Sequence, residues 1–420
     1  MQVYKFGGAS VKDADGIKNL AKILRLTSQK NILVVISAMG KTTNALEEIT
    51  FNYFHQNQKF HQLFEDLKNY HFNMINELFE GHAPAAILDD INNAFVEIEW
   101  MIEDEPQDEY NFIYDQIVSI GELISTKIVS HYLNHIGVLN KWIDARSYIQ
   151  TDNNYREANV NWDKTCELIF KDLPQVLSSK IAITQGFIGN TSENFTTTLG
   201  REGSDYSAAI FANCIDAESL TVWKDVPGIL NADPKLFTDT LKFDELSYAE
   251  AIEMTFYGAT VIHPKTIKPL QNKHIPLYVK PFMAPEEAGT VIKSAEVTIK
   301  TPIIIIKNNQ VLLSLNTKDF SFITEENLFN IYRIFSENDI KINLMQVSAL
   351  SFSVCFDYDE DKFNQLKDVL EKEFSFRYNT NLSLITIRHA NEEHIKKHIA
   401  PDKVVLEQRS RNTAQFVLQN

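Results

Sequence analysis

Cysteine is scarce in this 420-residue chain: Cys166, Cys214 and Cys355 stand far apart, with no CxxC pair. That spacing argues against a zinc site of paired thiolates and against a disulfide scaffold. Three reduced thiols in a cytoplasmic protein are the expectation. Long apolar runs are also missing. No stretch approaches the roughly 18 residues that would span a membrane, and the opening MQVYKFGG lacks the basic-then-apolar pattern of a secretory signal. Positive charge is the minority sign, 40 Lys and Arg against 56 Asp and Glu, for a net charge of -16. Nucleic acid or an anionic membrane is therefore disfavoured as main partner. A small anionic substrate is not, because a site can be locally basic.

What is present is an ordinary globular composition, 44% hydrophobic and 23% charged, over a length that suits two or three domains. Residues 2–6 and 32–37 are short apolar runs ending in turns rich in glycine or serine. Between them DADGIKNLAKILRL has apolar residues at helical spacing, so the start reads as β-loop-α-β of a layered α/β domain. Residues 41–135 read mostly as helix. Strands return at 137–143 and 180–189, and GFIGNTSENFTTTLG reads as a hairpin. SDYSAAIFANC then reads as a helix, SLTVWKDV as a strand and SYAEAIEMTFYGA as a helix ending at Gly258.

The texture changes near residue 295. TPIIIIK, QVLLSLN, ENLFNIYRIFSEND, INLMQVS, SFSVCFD and DKFNQLKDVLEKEF read as strand, strand, helix, strand, strand, helix. That order suits a split βαβ sheet with helices on one face. LSLITIRH, VVLEQRS and AQFVLQN add three strands around a poor helix, so two small modules form a low-grade repeat.

Three loops carry the chemistry. In YKFGGAS a strand ends in Lys5, Phe6, Gly7 and Gly8 and runs into a helix. Open backbone N–H groups and the positive end of a helix dipole suit phosphate, and Lys5 adds a point charge. The same pattern also makes an ordinary βα turn with a solvated lysine, and no GxxxxGK[ST] occurs. In TTTLGREGSDYS, Gly200 and Gly203 bracket Arg201, which can clamp a carboxylate bidentately. Ser204 stands where it would cap the next helix, and Asp205 where it can orient a lysine. In VWKDVPGILNADPKLF, Asp225 and Asp233-Pro234 bound a loop that turns at Pro227-Gly228. Ligands of open α/β sheets lie beyond the carboxyl ends of strands, so the three loops are expected to face one crevice.

KFGGAS, SAMGKTTN, GELIS, DAR, QGFIG, TTTLGREGSDYSAA, DVPGI with ADP, and GATVIHP stand in the order and spacing of the aspartate kinases. Over residues 1–295 the chain resembles that branch of the amino-acid kinases; the remainder resembles tandem ACT domains more loosely. The fold this implies is a three-layer α/β amino-acid-kinase (carbamate-kinase-like) domain over 1–295, then two α+β ferredoxin-like ACT modules over 296–420. The first module would span about 309–380. The second, degenerate and truncated, would combine about 300–308 with 381–420.

The implied activity transfers the γ-phosphoryl of ATP to the β-carboxylate of L-aspartate, giving 4-phospho-L-aspartate and ADP. This is the first step toward lysine (through diaminopimelate), threonine and methionine. By motif position, Lys5 and Asp205 would form the phosphoryl-transfer pair. Thr43, Glu122, Arg201 and Ser204 would bind aspartate, with Arg201 on the α-carboxylate and Glu122 on the ammonium group. Lys5, Gly7, Gly8, Ser37, Lys224, Asp225 and Lys235 would bind ATP. Mg2+ is expected on the phosphates without a protein cage, and a homodimer through the ACT modules is the expected assembly. The residue types fit this chemistry. A carboxylate with a pKa near about 4 is ionised at neutral pH, so no general base is needed. The difficulty is bringing two anions together, which cations and backbone N–H groups relieve.

Several positions depart from the family pattern. Ala9 replaces a threonine, Lys224 a threonine or serine, Leu230 an aromatic residue and Lys235 an arginine. Thr260 replaces a lysine that reaches the nucleotide, a charge Lys224 is expected to supply from another loop. His263-Pro264 reads as a structural turn. In the tail, Glu326-Asn327 stand where effector-binding relatives have Gly-Phe, Asn343 where they have an acid, and VSA (347–349) where they have TSE. Feedback inhibition by lysine or threonine is therefore expected to be weak or lost. Two rival readings are a kinase of acetylglutamate, glutamate or carbamate, and an amino-acid sensor with a degenerate kinase domain. The first lacks this motif set together with this tail. The second should preserve effector features, whereas here Lys5, Glu122, Arg201, Ser204 and Asp205 are the residues preserved.

Overall fold

The computed structural model describes residues 1–26, 31–259, 262–294, 299, 301–319 and 321–420. Thr260 and the boundary expected near 295 lie outside the described residues. The chain forms two compact units. One comprises Met1–Ile229, Lys242–Ile252 and Val261–Val297; the other comprises Leu230–Leu241, Glu253–Thr260 and Thr298–Asn420. Two short segments from the first part of the chain thus belong with the C-terminal unit.

In chain order the elements up to residue 294 begin with β1 (Gln2–Phe6), α1 (Ala14–Arg25) and β2 (Ile32–Ile36). The helices α2 (Thr42–Phe54), α3 (Lys59–Leu78), α4 (Ala85–Glu103), α5 (Tyr110–Val118) and α6 (Ile120–His135) follow. Next come β3 (Asn140–Trp142), α7 (Trp162–Leu177), β4 (Ile181–Gln185), β5 (Ile188–Asn190), β6 (Thr196–Thr198) and α8 (Gly203–Cys214). The series ends with β7 (Ser219–Lys224), β8 (Glu245–Ser247), α9 (Tyr248–Phe256), α10 (Pro264–Asn272), β9 (Leu277–Pro281) and β10 (Thr290–Lys293).

Eight strands pair in the order β3-β4-β2-β1-β7-β9-β10-β8, all parallel except β9 with β10. The sequence explains why β1, β2, β4 and β7 lie inside. β2 is a continuous apolar run, the other three hold at most one charge each, and all four are buried nearly end to end, the pattern of strands covered on both faces. Helix α1 shows the complementary pattern. Asp13 caps it by accepting from the Gly16 N–H at 2.8 Å, and its buried stripe is Ile17, Leu20, Ala21 and Leu24. His263 likewise caps α10, with Pro264 in its first turn. Parallel pairing of β1 with β2 and β7 brings the loops after these strands to one edge of the sheet.

Cys166 on α7 and Cys214 at the end of α8 form a disulfide, with Cα atoms 4.8 Å apart. This overturns the expectation of three reduced thiols. The two residues are 48 positions apart, and the packing of α7 on α8 that joins them leaves no trace in local spacing. Cys355 remains a buried thiol. Among the described residues, no helix is long and apolar enough to cross a membrane.

The second unit contains β11 (Ile303–Thr317), α11 (Glu325–Glu337), β12 (Ile342–Val347), β13 (Ser351–Asp357), α12 (Glu360–Glu373), β14 (Phe374–Arg388), α13 (Glu392–His398), β15 (Val404–Arg409) and β16 (Thr413–Gln419). The strands pair antiparallel in the order β12-β13-β11-β14-β16-β15. The two strands expected around 301–316 are one. Asn309 takes a left-handed conformation, and the register shifts between Lys307 and Gln310 without the chain turning back. Residues 374–381, not expected to be extended, are the first half of β14. One core gathers Val311, Leu313, Ile331, Phe335, Phe352 and Leu366. A second gathers Ile304, Ile387, Ile395, Ile399 and Phe416.

Candidate active site

Lys5 lies next to last on β1, beside Val35 of β2 and Val222 of β7. Its ammonium group is 2.6 Å from Asp205 Oδ1, while Lys224, at the end of β7, stands 3.6 Å from Asp205 Oδ2. Asp205 is 1% exposed and Lys5 7%. Burial opposes the Asp205 charge, but the ammonium groups of Lys5 and Lys224 outweigh it and hold the carboxyl below its ordinary range. One carboxylate thus serves two lysines, leaving a net positive charge where the loops after β1 and β7 begin.

Gly7 and Gly8 follow directly. A Cβ on Gly8 would lie 2.6 Å from the Ala38 carbonyl oxygen, so only glycine lets the first loop close on the second. The Ala38 N–H in turn donates to Glu122 in the first turn of α6. Ser125 of α6 donates its hydroxyl to the Ser37 carbonyl at 2.7 Å. Glu122 is 3% exposed and its Oε2 has no hydrogen-bond partner. Burial pushes its carboxyl up to about 8, against the Ala38 hydrogen bond and the Lys5 charge. A buried acid with an unpartnered oxygen is suited to a ligand cation.

Asp205 and Ser204 sit in the first turn of α8. Ser204 was expected to cap this helix. Instead Glu202, in a left-handed conformation, occupies the cap position and makes no side-chain cap, and Ser204 packs on Gly186. Gly186 donates its N–H to the Ile36 carbonyl at the end of β2. Arg201 is exposed and has no carboxylate partner among the described residues. Thr43 is half-buried in the first turn of α2, and Asp225 is exposed just past β7. The ordered edge therefore assembles from β1, β2, α6, α8 and β7. Lys235 belongs to the other unit, where its N–H donates to Asp233 Oδ1 at 2.9 Å.

Two buried polar groups behind this edge carry no sequence motif. His71 on α3 donates its Nδ1–H to the Leu67 carbonyl at 2.8 Å, so its Nε2 accepts from the hydroxyl of Thr42, next to Thr43. Burial pushes this imidazole down to about 4 and keeps it neutral. The other is Asp115 on α5, which is fully buried.

The amino acid kinase family matches residues 1–281. Lysine-sensitive aspartokinase 3 of Escherichia coli is 32% identical over 359 residues, covering 84% of this chain and 78% of that protein. A chloroplastic bifunctional aspartokinase/homoserine dehydrogenase of Arabidopsis thaliana is 28% identical over 89% of this chain, which spans only 42% of that longer protein. The crystal structure of E. coli aspartokinase III with aspartate and ADP superposes with a TM-score of 0.86 at 26% identity, covering all of this chain and 96% of that one.

Proposed function

Because the chain belongs to the amino acid kinase family, and within it to the aspartokinases, we propose that it transfers the γ-phosphoryl of ATP to the β-carboxylate of L-aspartate. Aspartyl phosphate made this way feeds lysine, threonine and methionine synthesis. The observation that carries the assignment is the buried Lys5–Asp205–Lys224 cluster at the edge where the glycine loop turns. The aspartate carboxylate attacks already ionised. Lys5, held by Asp205, offsets charge building on the phosphoryl oxygens, and the Gly7-Gly8 backbone lets them approach. Lys224 draws the nucleotide phosphates from the opposite side. Ser37 and Asp225 complete the ATP contacts.

Glu122 pairs with the substrate ammonium, Arg201 clamps its α-carboxylate, and Thr43 and Ser204 add hydrogen bonds. Among the described residues no trio of His, Cys, Asp or Glu could hold a metal ion, and Asp205 is already committed to two lysines. Mg2+ would accordingly arrive on the ATP phosphates and screen their charge. Purified protein with aspartate, ATP and Mg2+ should yield a hydroxamate-trappable acyl phosphate; none above background would refute the activity.

Arg201→Lys is expected to raise KM for aspartate about tenfold or more while KM for ATP stays within about twofold, since an ammonium cannot reproduce a bidentate clamp. Initial rates against each substrate decide it. Movement of the ATP value alone would assign Arg201 to the wrong ligand.

We assign residues 1–295 to catalysis and 296–420 to a regulatory and dimerising ACT region, in a homodimer acting in the cytoplasm. Exposed Met345 and Val347 on the edge strand β12 favour pairing there. Lysine should inhibit weakly. Asn327 is consumed in the capping box of α11 with Thr324, and Asn343 bridges Lys307 and Gln310. Neither offers a carboxylate to an effector ammonium, a loss of about 1.5–3 kcal/mol or at least about tenfold in affinity. Titration of lysine and threonine into the assay checks this; half-inhibition by sub-millimolar lysine would contradict it.

A further inference from the structure

The segment that delivers Arg201 is short and needs holding. It is β6, Thr196–Thr198, followed by Leu199 and Gly200. On one edge β6 pairs with β5, and the Leu199 N–H continues that edge to the Phe187 carbonyl at 2.8 Å. The alternate residues, Thr196 and Thr198, point their backbone groups the other way, where among the described residues no strand pairs with them. Two consecutive side chains of α5 take that place. Asp115 Oδ2 accepts the Thr198 N–H at 2.8 Å and Oδ1 accepts the Thr198 hydroxyl at 2.7 Å. Gln116 accepts the Thr196 N–H at 3.2 Å and donates to the Thr196 carbonyl at 2.9 Å.

Asp115 also reaches a second segment. Its Oδ2 accepts the Arg156 N–H at 3.0 Å. Arg156 has a positive φ of 72°, and its guanidinium lies 4.4 Å over the Tyr114 ring. The Arg156 carbonyl backs onto Gly200: a Cβ there would come within 3.2 Å of it, and Gly200 itself has a φ of +76°. Ala158 donates its N–H to the Thr198 carbonyl at 3.0 Å. One fully buried carboxylate thus ties together the two stretches of backbone that frame Gly200, the residue before Arg201.

We propose that Asp115, supported by Gln116, is a positioning residue for substrate recognition: it fixes the loop from which Arg201 reaches the aspartate α-carboxylate. This rests on the assignment of Arg201 to that carboxylate. The role is one of geometry rather than charge. Burial pushes the Asp115 carboxyl up to about 6, against the N–H of Arg156 and the hydroxyl and N–H of Thr198, so the fold gains nothing from the negative charge as such. An amide of the same shape can do the work. Its carbonyl accepts both N–H groups, and its NH2 donates to the Thr198 hydroxyl oxygen.

The test compares Asp115→Ala, Asp115→Asn and Arg201→Ala by steady-state kinetics on the full chain. Asp115→Ala is expected to raise KM for aspartate about tenfold, with kcat within about threefold and KM for ATP within about twofold, because a loosened clamp loses uniform binding. Asp115→Asn is expected to restore KM for aspartate to within about twofold of the parent, which a charge-dependent role would forbid. If Asp115→Ala does not accumulate as folded protein, Gln116→Ala, which deletes only the neighbouring bridge, should raise the same KM about threefold. Asp115→Ala or, in its stead, Gln116→Ala with an unchanged KM for aspartate, while Arg201→Ala raises it, overturns the positioning role alone. Arg201→Ala without effect on that KM overturns the Arg201 assignment and the positioning role with it. A parallel fall in kcat with both KM values unchanged would mark Asp115 as merely structural.

Discussion

Lys5→Ala is expected to lower kcat by about 10²–10³-fold and to change KM for aspartate far less, the size associated with removing one preorganised charge stabiliser. Lys5 and Asp205 are both buried, at 7% and 1% exposure, so their interaction is little screened by solvent. Deleting one partner of a buried pair ordinarily strands the other charge. Here Lys224 remains 3.6 Å from the same carboxylate, so the fold should survive and the kinetic loss should report on the phosphoryl group. Lys224 cannot take over the lost role from the end of β7, because its ammonium approaches the opposite oxygen of Asp205. Single-turnover rates for the purified variant measure the effect. Retention of more than about half the parent kcat would remove Lys5 from the chemical step.

Glu122→Gln is expected to raise KM for aspartate by about 10–100-fold, the loss of one charge-assisted hydrogen bond in a dry site. The acid also links binding to pH. Burial raises its pKa in the folded chain from 4.5 to about 8. Between those values the folded chain holds a proton that the unfolded chain has released. The stability this group contributes is therefore complete below its ordinary carboxylate range and lost as pH rises through about 8. Glutamine cannot ionise, so the variant should melt at a higher temperature than the parent above pH 8. An incoming ammonium favours the carboxylate, so substrate uptake near neutral pH should expel a proton in the parent and none in the variant. Calorimetry in buffers of different ionisation enthalpy reads this directly. Equal proton release by both proteins would rule out Glu122 as the ammonium partner.

Much of the candidate site was legible because its residues are local in sequence. Lys5, Gly7 and Gly8 are contiguous, and Arg201, Ser204 and Asp205 fall within five residues. Strand-period and helix-period runs placed β1, β2, β7 and the β5–β6 hairpin correctly. What was not legible depends on contacts between distant segments. Asp115 is the one acid on a helix of mostly apolar residues, and its meaning lies in residues 41 and 83 positions away. The Cys166–Cys214 bond needs two helices to pack before it can be seen. Ser204 has the residue type of a cap, yet the left-handed Glu202 starts the helix two positions earlier than a serine cap would. Asn308-Asn309 has the composition of a turn, yet the long pairing of β11 with β14 turns it into an irregularity within one strand.

That pairing sets a lower limit on how far the C-terminal modules can erode. β11 and β14 each contain 15 residues, and both modules are built on the same two strands. The first part of β11, Ile303–Lys307, pairs with β14 but not with β13. If the second half of β14 and the strands beyond it were lost, four consecutive isoleucines would become an unpaired, apolar strand edge, the kind of template on which chains stack into aggregates. The second half of β14, with β15 and β16, is thus a sheath over a sticky seam: the helix between these strands needs no more than the seven residues of α13, but the strands cannot be dispensed with.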